Sequence, residues 1–159
     1  MSRSPQQPPQ RSFVGKYADD LGQLISQQIK PVYKAMGIQV PVKSCSLVHV
    51  LGYLHQASLV DLAKCLNQSH QLIKQKIPRL LELKIITHSK DPHDKRRTLY
   101  QLTDLGRQQA GILKQNPMEQ IYQQLSEEVG ADIQSVLMAA IEQLQQKDLY
   151  TRYNEHNEY

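Results

Sequence analysis

The residue types best suited to recognition chemistry fall in one run, Lys90-Asp91-Pro92-His93-Asp94-Lys95-Arg96-Arg97-Thr98-Leu99-Tyr100-Gln101-Leu102-Thr103. Asp91-Pro92 begins a turn, because proline fixes φ and aspartate can bond its own backbone. Thr98, Leu99 and Tyr100 suit a half-buried strand leaving that turn, with Leu99 and Leu102 as its anchors to a core. Lys95, Arg96 and Arg97 then stand at a hairpin tip as a cationic finger. Asp94 lies two residues before Arg96 and can hold its guanidinium in one pose through paired hydrogen bonds. An arginine oriented in advance on a protruding loop suits the narrow, negative minor groove of duplex DNA. Lys95 and Arg97 suit phosphates. An ordinary solvated turn fits the same run, so the neighbouring elements must decide.

Those elements are mostly helical. Ser58 with Asp61 has the spacing of an N-cap with a carboxylate at the third helical position, and Leu59, Leu62, Ala63 and Leu66 give that short helix a buried face. Asn67-Gln68 turns the chain. Ser69 caps the next helix, with Leu72, Ile73, Ile77, Leu80 and Leu81 expected inside. Two short helices joined by a tight polar turn make a helix-turn-helix. The second exposes Ser69, His70, Gln71, Lys74, Gln75 and Arg79, and no carboxylate occurs between Ser69 and Arg79. Glutamine can read adenine and lysine guanine in the major groove. A solvated helix face is the competing reading. Pro78 is expected to tilt the last turn. Ile85 to His88 forms the strand running out to the hairpin.

Flanking this segment are longer amphipathic stretches. From Ser12, the positions Phe13, Val14, Tyr17, Leu21, Leu24, Ile25, Ile29, Val32, Tyr33 and Met36 follow steps of three and four. They predict a long helix bent at Pro31 and ended by Gly37. Val40-Pro41-Val42 links it to a helix over Ser44 to Leu54, and Gln56-Ala57 is a break. Thr103 caps a helix that Pro117 interrupts, and Ser126-Glu127-Glu128 is expected to cap a last one bearing Ile133, Val136, Leu137, Ala140, Ile141 and Leu144. These stripes exceed what a small winged domain can cover, which implies a helical homodimer interface. For the first helix alone, lying across its own domain explains the pattern equally well. The expected organisation is a disordered tail over 1–11, a dimerisation helix over 12–38, a DNA-binding domain over 43–102, dimerisation helices over 103–149, and a polar, frayed tail over 150–159.

Composition agrees. The 159 residues include 7 glycines and no tryptophan, which favours helices over β-rich folds. Net charge is +4, unevenly placed: residues 58 to 116 hold 11 Lys/Arg against 5 Asp/Glu, and residues 117 to 159 hold 2 against 8. A basic middle on a less basic frame suits a nucleic-acid-facing segment, though a solvated surface would also show it. No apolar run is long enough to cross a membrane. Met1 to Gln10 is polar and rich in Pro and Gln, without the apolar stretch of a signal peptide, and Cys45 and Cys65 lack CxxC spacing. Both features fit a cytoplasmic protein.

Other chemistry finds less support. His49, His55, His70, His88 and His93 lack metal-ligand spacing, so no metal is expected. There is no nucleophile–base pair or glycine-rich phosphate cradle, and therefore no expected enzyme activity or cofactor. Cys45 and Cys65, on helices with apolar neighbours, read as buried inert thiols rather than sensors. A small aromatic effector between the first helix and the winged domain would meet Tyr17, Tyr33, Met36 or Tyr53, residues that serve equally as core.

With these elements in order, residues 12 to 147 resemble the MarR family of winged-helix transcription regulators. The resemblance rests on Asp91-Pro92-His93-Asp94-Lys95-Arg96, similar to a D-P-x-D-x-R wing, and on Leu102-Thr103-Asp104-Leu105-Gly106, similar to an L-T-x-x-G helix start. Leu62-Ala63 and Gly37-Ile38 add to it. It implies a mainly α fold with a small β-hairpin wing. It implies a homodimer on palindromic double-stranded operator DNA, with Asp94 orienting, Arg96 inserting and the start of the recognition helix in the major groove. The chain departs from the pattern in a longer segment between Gly37 and Leu51, in Lys84 where glycine is usual, and in Pro78. The reading is a sequence-specific repressor released by a small ligand or other signal. The alternative is a winged protein-interaction module that meets an acidic partner.

Overall fold

The computed structural model describes residues 11–115 and 117–157, so most of the expected N-terminal tail lies outside the described residues. The chain divides after Gln115 into two compact units. The first begins with a 3-10 turn, Arg11–Phe13, and continues as α1, Val14–Ala35. Ile29 and Tyr33 of α1 are buried, whereas Val14, Tyr17 and Leu24, with Phe13 just before the helix, are exposed. Its apolar stripe therefore meets the unit's core only towards its C-terminal end. Pro31 lies inside it. Gly37, at φ 71°, closes it with the Ile38 amide donating to the Tyr33 carbonyl. That left-handed turn is one glycine adopts without strain.

A 3-10 turn, Val42–Ser44, leads into α2, Cys45–Leu54, whose Leu47, Val48 and Leu51 are fully buried. Next come the strand β1, Gln56–Ala57, then α3, Leu59–Leu66, and α4, His70–Glu82. α2 packs on α3, and α3 on α4. The expected caps are present: the Ser58 hydroxyl accepts from the Asp61 amide and the Ser69 hydroxyl from the Leu72 amide. Asn67, left-handed at φ 51°, turns the chain between α3 and α4.

The strands β2, Ile86–Lys90, and β3, Thr98–Leu102, form the hairpin, with Ile86 opposite Leu102 and Lys90 opposite Thr98. Gln56-Ala57, expected as a break, instead pairs antiparallel with β3, Ala57 opposite Tyr100, so the sheet has the order β1-β3-β2. A two-residue strand carries no alternation to read in a sequence; its partner defines it. Leu99 and Leu102 are buried, as their anchoring role requires.

α5, Asp104–Lys114, starts at a join that accounts for the Leu-Thr-x-x-Gly spacing. The Thr103 amide donates to the Ile85 carbonyl at 3.0 Å, and its hydroxyl donates to the Lys84 carbonyl at 2.6 Å while accepting from the Gly106 amide at 3.0 Å. Helix and strand approach so closely that a Cβ on Gly106 would lie 2.0 Å from the Ile85 oxygen. Lys84 itself holds φ 56°, closing α4 with the Ile85 amide bonded to the Leu80 carbonyl. Lysine there carries the left-handed penalty that glycine avoids. Further along α5, the buried Gln109 amide accepts from the Gln39 amide at 2.7 Å and donates to the Gly37 carbonyl at 3.1 Å. It thereby ties down the long segment after α1.

The second unit holds α6, Met118–Val129, α7, Ile133–Gln146, and α8, Leu149–Asn157. The cap expected at Ser126 lies elsewhere. α6 runs on through Ser126 to a left-handed Gly130, and Asp132 caps α7 through the Ser135 amide. The segment read as a frayed polar tail is helical as α8, which Arg152 ties back to the Gln143 and Lys147 carbonyls. No residue of these three helices is buried, and Val136, Met138, Ile141, Leu149 and Tyr153 all stand out from the surface.

Gly106→Ala should destabilise the protein by about 2–3 kcal/mol, because the added methyl meets a backbone oxygen that cannot rotate away. Urea unfolding would show it as a lower midpoint at similar slope, and a midpoint within experimental error of wild type would refute the close approach.

Candidate nucleic-acid interface

Seven residues, Asp91 to Arg97, join β2 to β3, and their conformation is held from within. The Asp91 amide donates to the Arg97 carbonyl at 3.0 Å, and the Arg97 amide donates to the Asp94 carbonyl at 2.8 Å. The Asp91 carboxylate, largely buried, accepts from the His93 amide at 2.8 Å, the self-bonded turn that Asp-Pro favours. Asp94 then accepts three times from Arg96: from the backbone amide at 3.1 Å, from Nε at 3.2 Å and from Nη2 at 3.5 Å. Those bonds, the side-chain one foremost, hold the Asp94 carboxyl below its ordinary value. The Arg96 side chain remains 92% exposed. It is thus oriented by one neighbour and otherwise free to meet a ligand, while Lys95 is exposed beside it.

Arg97 does not share that outward position. Its guanidinium turns back to the start of α3, donating to the Asp61 carboxylate at 2.5 Å and to the Ser58 hydroxyl at 3.1 Å, with the Asp91 carboxylate at 3.9 Å. The phosphate contact expected of it competes with these bonds. Sequence reading missed the tie because Asp61 lies 36 positions away and already had a local role as a helix cap.

On α4, Ser69, His70, Gln71, Lys74, Gln75 and Arg79 are all exposed on the same winged unit. Arg79, at the far end, pairs with Glu82 at 2.7 Å. Leu72, expected inside, is 49% exposed. At 100° per residue it falls about a quarter-turn from the buried Ile73, on the flank of the polar face. Lys76 was not singled out. It is half-buried, donates to the Gln68 side chain at 2.8 Å, and has its pKa pushed down by burial and by nearby Lys43.

The residues expected to line an effector pocket do not come together. An open groove of about 1170 Å³ runs between α1 and residues 37–43 and takes Tyr33, but not Tyr17, Met36 or Tyr53. Tyr53 is 81% exposed, and Tyr17 lies on the uncovered half of α1. The groove's lining is mixed, with Ile38, Val40 and Val42 beside Lys30, Lys34, Lys43 and Asp19. Cys45 is partly buried, its thiol pushed up by desolvation, and approaches the Pro41 carbonyl at 3.5 Å. Cys65 is exposed, contrary to the expectation that both thiols are buried. Among the described residues, no three His, Cys, Asp or Glu side chains gather as a metal site, and no helix is long and apolar enough to cross a membrane.

The arrangement of α2, α3, α4 and the wing matches solved structures. A mutant of MarR from E. coli complexed with operator DNA superposes with a TM-score of 0.65, at 17% identity, covering 90% of this chain and 99% of that one. The chain has the MarR winged-helix fold. A probable transcriptional regulator from Pseudomonas aeruginosa gives 0.63 at 21% identity, covering 82% of this chain and 96% of that one. A MepR-like protein complexed with pseudoligands gives 0.64 at 18%, covering 84% and 92%. No protein-family model matches the sequence, and no curated protein does. The likeness to MarR is thus carried by the backbone course rather than by overall identity.

Asp61 is held below its ordinary value of 3.8, first by the Ser58 backbone amide, then by the Ser58 hydroxyl and Arg97. A carboxyl depressed in the folded state contributes stability above its unfolded value and loses it as pH falls through the folded value. The stability gap between wild type and Asp61→Asn should therefore be full at about pH 6 and shrink below about pH 4. Urea titrations across that range would measure it; a gap that stays constant would remove Asp61 from the network.

Proposed function

We propose that this chain is a homodimeric, sequence-specific regulator of transcription that binds double-stranded DNA in the cytoplasm. The observation that carries the reading is the Asp94-held, outward-facing Arg96, on the same unit as the acid-free face of α4. Placed on duplex DNA, α4 would enter the major groove with Gln71, Lys74 and Gln75 towards base edges, and Arg96 the flanking minor groove. Leu72 offers an apolar contact of the kind that meets a thymine methyl. Ser69, His70, Arg79 and Lys95 fit the backbone-facing margin of such a footprint. The MarR structure with operator DNA supports this reading through its shared fold.

The dimer rests on uncovered apolar surface. Each unit leaves such a face: Val14, Tyr17 and Leu24 on α1 with Phe13 just before it, and Val136, Met138, Ile141 and Leu144 among the C-terminal helices. Burying one such side chain fully stabilises association by about 1.5–3 kcal/mol, so a second copy is the natural cover. Repression relieved by a small ligand is the regulatory mode the reading favours. The groove beside Tyr33 is the candidate ligand site, where apolar Ile38, Val40 and Val42 would cover a ligand's body and Lys30, Lys34 or Lys43 an anionic group on it.

Selection from random duplexes should enrich a palindromic site. Arg96→Ala should then weaken binding to that site by roughly ten- to a hundredfold in a gel-shift titration, and affinity should fall steeply with salt. Failure to enrich any motif would instead favour a protein-interaction module. Light scattering after size-exclusion chromatography should give twice the chain mass; a monomer at micromolar concentration would undercut the two-half-site geometry.

A further inference from the structure

Two adjacent arginines at the wing have opposite surroundings. Arg96 points outward with one carboxylate beside it. Arg97, still 43% exposed, turns back towards α3, between the Asp61 carboxylate at 2.5 Å and the Asp91 carboxylate at 3.9 Å, and also donates to the Ser58 hydroxyl. A single oxygen of Asp61 gathers the Ser58 amide at 2.9 Å, the Ser58 hydroxyl at 2.7 Å and the Arg97 guanidinium. The N-terminus of α3 and the base of the wing turn are thus closed on one another by a side-chain tie that the sheet hydrogen bonds do not supply.

We propose that Arg97 is a positioning residue for the DNA contact, a latch between wing and α3 that sets how far and at what angle Arg96 reaches. The inference deepens the DNA-binding reading and rests on it. The electrostatics favour a latch over a phosphate contact. A guanidinium placed between two carboxylates presents little net charge to a phosphate. Swinging it outward would leave Asp91, whose side chain is only 12% exposed, without its cationic neighbour. The turn is short, and Arg97 is its last residue before β3. Releasing the Arg97 side chain therefore loosens the attachment of this turn to α3, while the turn's own backbone hydrogen bonds and the β2–β3 ladder remain.

The two roles predict opposite signs for Asp61→Asn and different salt slopes for Arg97→Ala. If Arg97 met a phosphate, Arg97→Ala would lower the slope of log affinity against log salt by about 0.9. Asp61→Asn, by removing a negative charge, would leave binding equal or stronger. As a latch, either variant weakens binding, by roughly three- to tenfold for a partly exposed pair, with the salt slope unchanged. The double variant binds no worse than the weaker single one. Arg97→Lys, able to keep one bond to Asp61, recovers part of the loss.

The test uses the full-length chain and a duplex enriched by the wild-type protein, titrated at several salt concentrations. It is paired with amide hydrogen exchange of the DNA-free protein across Asp91 to Arg97. Faster exchange in that turn for both Arg97→Ala and Asp61→Asn, with exchange in the core of α2 unchanged, is the expected result. Exchange unchanged in the turn, or a salt slope reduced by about 0.9, would overturn the latch. Faster exchange with undiminished affinity would overturn its role in positioning. Should the wild-type chain bind no duplex, the DNA reading falls, and the exchange data still decide whether the latch exists.

Discussion

The Ile85 carbonyl is the point on which the winged unit's geometry depends. It accepts the Thr103 amide and stands against Gly106 with no space for a side-chain carbon. Three elements converge there: the end of α4, the end of β3 and the start of α5. The Thr103 hydroxyl also serves two of them, donating to the Lys84 carbonyl and accepting from the Gly106 amide. A backbone oxygen cannot adopt another rotamer, so this contact defines the angle at which the helix leaves the sheet. The left-handed Lys84 is the local strain that accompanies it. Every residue proposed to meet DNA lies on one of these elements or on the loop between them.

From that frame the wing receives its direction in two stages. The β2–β3 ladder brings the turn out from the core, with Leu99 and Leu102 as its buried anchors. The turn is then shaped by carboxylates rather than by packing, since Asp91 bonds its own backbone and Asp94 holds Arg96. Asp61 draws in Arg97. An exposed ion pair of this kind adds little to global stability. Its effect is to limit the poses of an exposed guanidinium, and for the proposed minor-groove contact such ordering beforehand would lower the entropy lost on binding.

The flanking helices follow a different logic. α1 is anchored at one end, by Ile29, Tyr33 and the Gln109 bonds to the following segment, and bare at the other. α6, α7 and α8 bury none of their own residues. An amphipathic helix draws its stability mainly from the apolar face it covers, and it is these uncovered faces on which the proposed dimer rests.

Features governed by neighbours three or four residues apart were legible in the sequence. The caps at Ser58, Ser69 and Thr103, the turn at Asp91-Pro92, the Asp94–Arg96 pair and the helical stripes all depend on spacing that the chain itself carries. The misplaced cap at Ser126 shows the limit of such signals. Ser-Glu-Glu has capping chemistry, yet Gly130 and Asp132 offered a better stop and start a few residues on. What tertiary structure alone decided were relations between distant positions. β1 became a strand because β3 ran beside it. Arg97 turned inward because Asp61 lay within reach. Leu72 was left exposed because Ile73, Ile77 and Leu80 already filled the core side of α4. The groove took Tyr33 without Tyr17, Met36 or Tyr53 because of how α1 lies against residues 37–43. A sequence states which side chains can bond, but distance between remote residues is set only when the backbone closes on itself, and that distance chose which of the available partners each one took.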